Sequence, residues 1–212
     1  MEALAAAMRE HGVRRTFRRG QALFSQGDIG ERVFLVEEGW VTIRSSSPEG
    51  EEMILNLRGP GELLGEMSIL DRAPRSAAAV AVGEVVALVA PASSIGRVIA
   101  TDPGAAGDVV HVLLQRLREA DAQRLEFTVF TTVTRVARRL LDLADRFGQP
   151  TPDGVRVDLP LSQEELATWC GASREATAKA LRTLREIRAI ATGRRTVTIT
   201  DADELRRQAH VA

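Results

Sequence analysis

The amino-acid sequence predicts an α+β protein in which a strand-rich half is followed by a helix-rich half. Short runs of apolar and polar residues, separated by glycine-containing turns, occupy most of residues 16–89. A long amphipathic pattern then begins at Pro103 and continues to about Arg124, with helical spacing that can be followed to Phe147. Two capped helices and a hairpin come after it. These changes of pattern predict three regions, 1–102, 103–131 and 132–212.

The composition narrows the possible classes of protein. The chain has 212 residues, of which 44% are hydrophobic and 27% charged, as is typical of a globular protein. It contains neither an apolar run long enough to cross a bilayer nor a secretory signal, so we expect a cytoplasmic protein without a membrane partner. A single cysteine, Cys170, excludes an internal disulfide. The histidines show no metal-ligand spacing, and we therefore expect no structural metal: His11, His111 and His210.

The strand-rich half has the pattern of a barrel or a two-sheet structure. A short helix is expected over residues 2–10. From Thr16 onward six or more strands are expected, among them 32–36, 40–44, 53–57, 76–82 and 85–89. Strands of this length, spaced by turns, close into a barrel or pack as two sheets.

Residues 61–77 do not follow the apolar–polar pattern of the strands around them. One or two helical turns are expected at 65–70, and the N–H groups at the start of such a helix favour an anion. Arg75 and Ser76 supply donors that suit a phosphate, and Glu66 can accept from a sugar hydroxyl. Alternatively, Arg75 pairs with Glu66 or Glu62 and only ties off the loop. The residues by themselves favour neither interpretation.

The long helix is expected to begin at Asp102-Pro103, a polar cap followed by proline. Its apolar residues recur at spacings of three and four: Val110, Leu113, Leu114, Leu117 and Leu125. Such a seam favours pairing with a second copy of the chain through residues 103–127, although packing on its own domain is the alternative. The β-branched residues between 128 and 134 predict a weak point or hinge.

The C-terminal part has the pattern of a winged helix-turn-helix. Ser162 and Glu165 form a capping box, Gly171 ends the first helix, and Ser173 caps a second helix with a basic face. A hairpin is expected over 187–200, and Arg195 at its tip can contact a phosphate backbone. Residues 132–212 hold 14 basic and 11 acidic side chains, a balance of +3, against 14 − 18 = −4 for residues 1–131. A polyanion is therefore expected to bind the second half, although a plain three-helix bundle is the alternative.

Two segments resemble the cyclic AMP receptor protein and fumarate–nitrate regulator (CRP/FNR) superfamily of bacterial transcription factors. Gly65-Glu66 followed by residues 74–77 (PRSA) resembles the phosphate-binding cassette of that family. Residues 161–166 (LSQEEL) with 171–177 (GASREAT) resemble its DNA-reading motif. The resemblance covers nearly the whole chain and implies an N-terminal cyclic-nucleotide-binding β-roll of jelly-roll type, a long dimerisation helix and a C-terminal winged helix-turn-helix.

The resemblance also implies roles for individual residues. The effector, with cyclic AMP or a related cyclic nucleotide as the first candidate, would be bound by Leu64, Gly65, Glu66, Arg75 and Ser76. Base edges of double-stranded DNA would be read by Arg174, Glu175 and Lys179, and phosphates would be held by Ser162, Gln163 and Ser173. RNA polymerase would be a further partner of an activator.

Three departures from the family pattern keep alternatives open. A Thr-Ser pair that contacts adenine in the family corresponds to Ala120-Asp121, where Asp121 could accept from an exocyclic amine. Lys179 stands in place of a bidentate arginine. The N-terminal cysteines of the iron–sulfur branch are absent, and residues 12–110 contain no histidine for a haem sensor.

These departures allow a regulator with another ligand or none, or a cyclic-nucleotide sensor that acts on a protein partner. An enzyme is the least favoured class, because the sequence has no P-loop, nucleophile elbow or paired-histidine motif.

Overall fold

The computed structural model describes residues 1–159 and 161–210, which form two compact units. We call them the N-terminal unit (Met1–Asp121) and the C-terminal unit (Ala122–Ala212). The elements up to the long helix are α1 (Glu2–His11), β1 (Val13–Phe17), β2 (Ala22–Phe24), β3 (Arg32–Glu38), β4 (Val41–Ser46), β5 (Glu52–Arg58), β6 (Leu63–Leu64), α2 (Met67–Asp71), β7 (Ala78–Ala81), β8 (Val85–Pro91), α3 (Ala92–Thr101) and α4 (Pro103–Val129).

The strands of the N-terminal unit form two antiparallel four-stranded sheets, ordered β1-β8-β3-β6 and β2-β7-β4-β5. Alternate residues of β3 enter two different cores, since Phe34 and Val36 pack between the sheets whereas Val33 and Leu35 pack beneath the helices. Burial on both faces explains why this strand is a continuous apolar run. The predicted two-sheet structure is therefore confirmed.

Helices α1, α3 and α4 cover the outer face of the first sheet. Their buried side chains include Leu4, Met8, Ile95, Ala105 and Val109. Helix α3 was not predicted, although its apolar residues Ala92, Ile95, Val98 and Ile99 recur at helical spacing and pack in this core. The short strands β2 and β6, which have three and two residues respectively, were also not identified.

Helix α4 begins at Pro103, as predicted. Asp102 caps it by accepting a hydrogen bond from the backbone N–H of Gly104 at 2.8 Å. The predicted apolar seam divides between two faces: Leu113 packs in the core of the N-terminal unit, but four residues are 45–58% exposed in the single chain, namely Val110, Leu114, Leu117 and Leu125. The packing interpretation therefore holds for one face only, and the other face has no cover within the described chain.

The helix breaks within the segment where β-branched residues predicted a weak point. After Val129, Thr131 caps a new helix, α5 (Thr132–Phe147), and its hydroxyl accepts from the N–H of Thr134 at 3.3 Å. The helical spacing that reaches Phe147 therefore belongs to two helices, and the predicted interruption between them is confirmed. Threonine side chains compete for backbone hydrogen bonds and so favour a cap over a helix interior.

The C-terminal unit combines helices with a small sheet ordered β11-β12-β10-β9. Its remaining elements are β9 (Gln149–Thr151), β10 (Gly154–Asp158), α6 (Gln163–Trp169), α7 (Arg174–Glu186), β11 (Ile190–Gly193), β12 (Thr196–Ile199) and α8 (Ala202–Ala209). The hairpin β11-β12 is shorter than predicted, with Arg194-Arg195 as its two-residue turn and Gly193 paired to Thr196. Residues 187–189 form the turn that follows α7, where Arg188 has φ +58°.

Within residues 1–159 and 161–210, no helix combines the length and the apolar character that crossing a membrane requires. The same residues contain no group of three or more His, Cys, Asp and Glu side chains placed to hold a metal ion.

Candidate functional site

The turn between β6 and α2 places Gly65 against Arg75, another of the predicted effector-binding residues. Gly65 has φ +83°, and a Cβ there would lie 2.5 Å from Nη1 of Arg75, so only glycine fits this position. Glu66 follows at the start of α2 and is buried, while Leu64 is buried in the core between the sheets. Ser76 is exposed beside Arg75.

Arg75 is a buried cation without an ion pair to any described carboxylate. It is 5% exposed, and its Nη1 donates to the Gly65 carbonyl at 2.7 Å while Nη2 donates to the Arg32 carbonyl. The guanidinium lies 4.5 Å from the ring centroid of Phe24, and its Nε is buried with no hydrogen-bond partner. Burial lowers the pKa of Arg75, although the charges of Glu66 and Asp28 oppose the shift. The alternative in which Arg75 pairs with Glu66 or Glu62 is therefore wrong.

Arg116 on α4 is the residue of this site that the sequence analysis missed. Its Nη2 donates to the Leu63 carbonyl at 3.1 Å, and its Nε lies 3.7 Å from Oε1 of Glu66. The signal was present in the spacing, because Arg116 follows the buried Val109 and Val112 at seven and four residues and so shares their face of the helix.

A network of ion pairs fixes α4 to the strands below this site. Arg58, 5% exposed, donates to Glu62 at 3.0 Å and to Glu119 at 2.5 and 3.2 Å. Asn56 donates to the same Glu119 at 3.0 Å. Burial lowers the pKa of Arg58, but hydrogen bonds and charges from the two carboxylates outweigh it and leave the pKa raised. The network stabilises the position of α4 beside Glu66.

Asp121 is not brought into contact with the other predicted effector-binding residues. It is exposed at the end of the N-terminal unit, and the described residues offer it no ion pair. Its role therefore remains a prediction.

Helices α6 and α7 have the predicted caps. Ser162 Oγ accepts from the N–H of Glu165 at 3.1 Å, and the Glu165 carboxylate accepts from the N–H of Ser162 at 2.8 Å. Ser173 Oγ accepts from the N–H of Ala176 at 3.1 Å. Both serines, and Gln163, are exposed, and each serine hydroxyl keeps its hydrogen for donation to an anion.

The turn between the two helices depends on Gly171, which has φ +58°. A Cβ at Gly171 would lie 2.5 Å from the ring of Phe127. Cys170 beside it is fully buried, and burial raises the pKa of its thiol to about 12. A thiol with this pKa is chemically inert at neutral pH.

One face of α7 is buried and the other carries charge. Its buried residues are Thr177, Ala180, Leu181 and Leu184. We call six of the exposed charged residues of α7 and of the hairpin turn the reading surface: Arg174, Glu175, Lys179, Arg182, Arg194 and Arg195. No member of the reading surface forms an ion pair with a described residue, whereas Arg156, Arg206 and Arg207 elsewhere in the unit are each paired. Exposed cations without counter-charges favour a polyanion.

Comparison with known proteins identifies both halves of the chain. Residues 14–102 match the cyclic nucleotide-binding domain, and residues 134–208 match the Crp-like helix-turn-helix domain. The CRP-like cAMP-activated global transcriptional regulator of Mycobacterium tuberculosis is 37% identical over 194 residues, covering 91% of this chain and 86% of that protein. The global nitrogen regulator of Synechococcus elongatus is 29% identical over 185 residues, covering 86% of this chain and 83% of that protein.

Solved structures show the same architecture. A crystal structure of a CRP-family transcriptional regulator from Thermus thermophilus has a TM-score of 0.79 and 29% identity, covering 93% of this chain and 97% of that one. The N-terminal unit is thus a cyclic-nucleotide-binding β-roll, followed by the long helix and a winged helix-turn-helix. This chain belongs to the CRP/FNR superfamily of transcription regulators.

Proposed function

We propose that this regulator is a homodimer whose binding to a specific DNA sequence is controlled by a cyclic nucleotide, with cyclic AMP as the first candidate. The observation that carries the proposal is the buried Arg75, which has no ion pair among the described residues and an Nε without a partner. A buried charge of this kind is costly unless an anion compensates it. Because the family consists of regulators of transcription, the ligand is expected to be an effector and not a substrate.

A cyclic nucleotide has the groups that this site lacks. Its cyclic phosphate carries one negative charge and accepts hydrogen bonds, which matches Arg75 and the exposed hydroxyl of Ser76. Because Gly65 has no side chain, the ligand can approach the backbone of this turn closely. Glu66 can accept a hydrogen bond from the ribose hydroxyl. Arg116 lies 3.7 Å from Glu66, so it can orient that carboxylate. The similarity to a relative named as cAMP-activated supports the choice of nucleotide.

A second candidate is the same regulator with another effector or with none. It is favoured by Ala120 and Asp121, which replace the hydroxyl pair expected to contact adenine, and by the similarity to a global nitrogen regulator. Calorimetry with cyclic AMP and cyclic GMP separates the two candidates. A saturable heat of binding with either nucleotide supports the first candidate. The absence of heat with both nucleotides supports the second candidate.

Dimerisation is proposed through residues 103–127 of α4. The exposed seam of Val110, Leu114, Leu117 and Leu125 would be buried by the same seam of a second copy. Sedimentation at micromolar concentration tests this step, and we expect the mass of two chains. Leu117→Glu, which places a charge in the seam, is expected to release single chains.

The reading surface is proposed to bind double-stranded DNA in the major groove, with α7 as the recognition helix. Arg174 and Lys179 would donate to base acceptors and Glu175 would accept from cytosine. Ser162, Gln163, Ser173 and Arg195 would contact phosphates. Two such readers in a dimer would recognise half-sites roughly 34–36 Å apart. With this role the protein would act in the cytoplasm, where RNA polymerase would be a further partner if the regulator activates transcription.

Selection of duplexes from a random pool, with and without each cyclic nucleotide, tests the proposed function. We expect a near-palindromic site that is enriched only when the effector is present. Equal enrichment with and without the nucleotide would favour the second candidate, a regulator with another effector or with none. If no duplex is retained in any condition, the proposed DNA binding is wrong, and a sensor that acts on a protein partner becomes the favoured function.

A further inference from the structure

Lys179 is the single lysine of a chain that also contains 27 arginines. It lies on α7, it is exposed, and it belongs to the reading surface. Lysine and arginine both supply positive charge, but only an amine reacts readily as a nucleophile, because the guanidinium group stays protonated in proteins. The one side-chain amine of the molecule therefore stands among the residues proposed to read DNA.

The amine of Lys179 is accessible to a reagent. Glu175 precedes it by one helical turn, but neither Glu175 nor any other described carboxylate forms an ion pair with it. The Lys179 carbonyl accepts from the hydroxyl of Thr183 at 3.3 Å, a contact that involves only the backbone of the lysine. The amino group of Met1, in contrast, is ion-paired with Asp108. Within residues 1–159 and 161–210, Lys179 thus carries the amine that a reagent reaches without displacing a carboxylate.

The arginine beside Lys179 favours a reagent that carries a phosphate group. Arg182 follows Lys179 by three residues on α7, and residues with this spacing have Cβ atoms about 5–6 Å apart. Arg182 is exposed and forms no ion pair with a described residue, so its guanidinium can bind a phosphate with two hydrogen bonds. A phosphate bound there would hold the rest of its molecule close to the amine, and such proximity raises the rate of a reaction between them.

We propose that Lys179 is a site of acylation by an acyl phosphate, and that acylation weakens sequence reading by α7. The unprotonated amine attacks the carbonyl carbon of the acyl phosphate, and a carbon–nitrogen bond forms. The bond between that carbon and the phosphate oxygen breaks, inorganic phosphate leaves with the electron pair, and the proton of the amine passes to water. The effect on DNA binding rests on the proposed function, whereas the site of the reaction does not.

Acylation changes both the charge and the donors of the reading surface. Its six residues carry five positive charges and one negative charge, a balance of +4, and acylation lowers this balance to +3. The product keeps one N–H donor in place of the three donors of the ammonium group. Contacts of Lys179 with base acceptors would be lost, while Arg195 would still contact phosphates. Binding to the specific site is therefore expected to weaken more than binding to unrelated DNA.

Acetyl phosphate added to the intact protein tests the site of the reaction. We expect peptide mass spectrometry to find acetylation first at Lys179. Arg182→Ala should slow acetylation of Lys179 at least about threefold, because the phosphate of the reagent loses its partner. Arg207→Ala, which removes an exposed arginine already paired with Glu204 on α8, is the matched control and should leave the rate unchanged. Equal rates in the two variants, or an unmodified Lys179, would overturn the proposal.

Fluorescence anisotropy with the selected duplex tests the consequence for DNA binding. Acetylation should lower the affinity of the wild-type protein at least about fivefold. Lys179→Arg keeps the positive charge and offers no amine, so treatment with acetyl phosphate should not change the affinity of this variant. An equal loss in the treated Lys179→Arg protein, or no loss in the acetylated wild type, would contradict the proposal. If the untreated protein binds no duplex, the proposed function fails, and mass spectrometry still decides where the reagent reacts.

Discussion

The N-terminal unit and the reading surface use arginine in opposite ways. Arg58 is 5% exposed and ion-paired to Glu62 and Glu119, and it fastens α4 to the sheet. Arg174 is exposed and has no ion pair among the described residues. The charge of Arg58 is neutralised within the fold, whereas the charge of Arg174 is available to a partner. Burial and counter-charge, and not residue type, therefore separate a structural arginine from one that binds.

Arg75 shares one property with the structural Arg58 and another with the exposed Arg174. It is as buried as Arg58, and it lacks an ion pair as Arg174 does. A buried cation whose charge the protein neutralises only in part is expected to bind an anionic ligand. Without such a ligand, the free-energy cost of removing the charge from water would not be offset. The comparison thus predicts the effector site from charge balance, independently of the sequence motif.

The largest effect is expected for Arg75→Ala. Loss of a desolvated charge that faces a phosphate costs about 2–5 kcal/mol, so effector affinity should fall by at least about 30-fold. Isothermal titration calorimetry with cyclic AMP measures the loss, and effector-dependent binding to DNA should disappear with it. Arg72→Ala is a matched control, since Arg72 is exposed at the end of α2 and has no ion pair with a described residue.

An unchanged effector response in the Arg75→Ala protein would contradict the comparison, because Arg75 would then be structural like Arg58. Loss of response in both variants would instead indicate that α2 as a whole is sensitive to substitution. Thermal unfolding of each variant shows whether the N-terminal unit remains folded.

A smaller effect, on stability, is expected for Glu119→Ala. It leaves Arg58 buried with one carboxylate in place of two, and the free energy of unfolding should fall by about 2–3 kcal/mol. Urea denaturation measures this change. The double variant Arg58→Met with Glu119→Leu removes both charges and should recover to within about 1 kcal/mol of the wild type. Failure of the double variant to recover would mean that packing, and not charge, dominates at this position.

Local sequence signals were sufficient for most of the fold. The capping box at Ser162, the cap at Ser173 and the turn at Gly171 are contained in a few neighbouring residues, and each was predicted correctly. Helix α3 was missed although Ile95, Val98 and Ile99 follow helical spacing, since Gly96 and two serines give its ten residues a low helix propensity. The start of β11 was placed three residues early because the apolar residues of the turn after α7 cannot be distinguished from a strand by pattern alone.

Long-range contacts account for what the sequence could not show of the site. Arg116 lies 50 residues beyond Glu66 in the chain (116 − 66 = 50), and no local pattern joins them. The pairing of Arg58 with Glu119 likewise depends on α4 crossing the strands. The motif predicted Gly65, Glu66 and Arg75 as a group. Only the structure shows that Arg75 forms no ion pair with Glu66 or Glu62.

Within the reading surface, we expect substitutions to reduce either the preference for one base pair or the overall affinity for DNA. Arg174→Ala should relax the preference at one base pair by about 1–3 kcal/mol. Arg195→Ala should weaken binding to all sequences alike and reduce the slope of log affinity against log salt by about 1. Fluorescence anisotropy with a matched and a mismatched duplex over a series of salt concentrations separates the two. Equal behaviour of the two variants would show that α7 does not read bases.

The smallest effect is expected where an arginine is both exposed and paired. Arg206 on α8 lies 2.9 Å from Asp203, and both side chains are more than half exposed. Surface pairs of this kind contribute about 0–1 kcal/mol, since water screens the charges and ordering the side chains costs entropy. Arg206→Ala should therefore change the free energy of unfolding by less than about 0.5 kcal/mol and leave the affinity for DNA unchanged. A loss of DNA affinity in this variant would extend the reading surface to α8, and an internal ion pair would then no longer mark an arginine as structural.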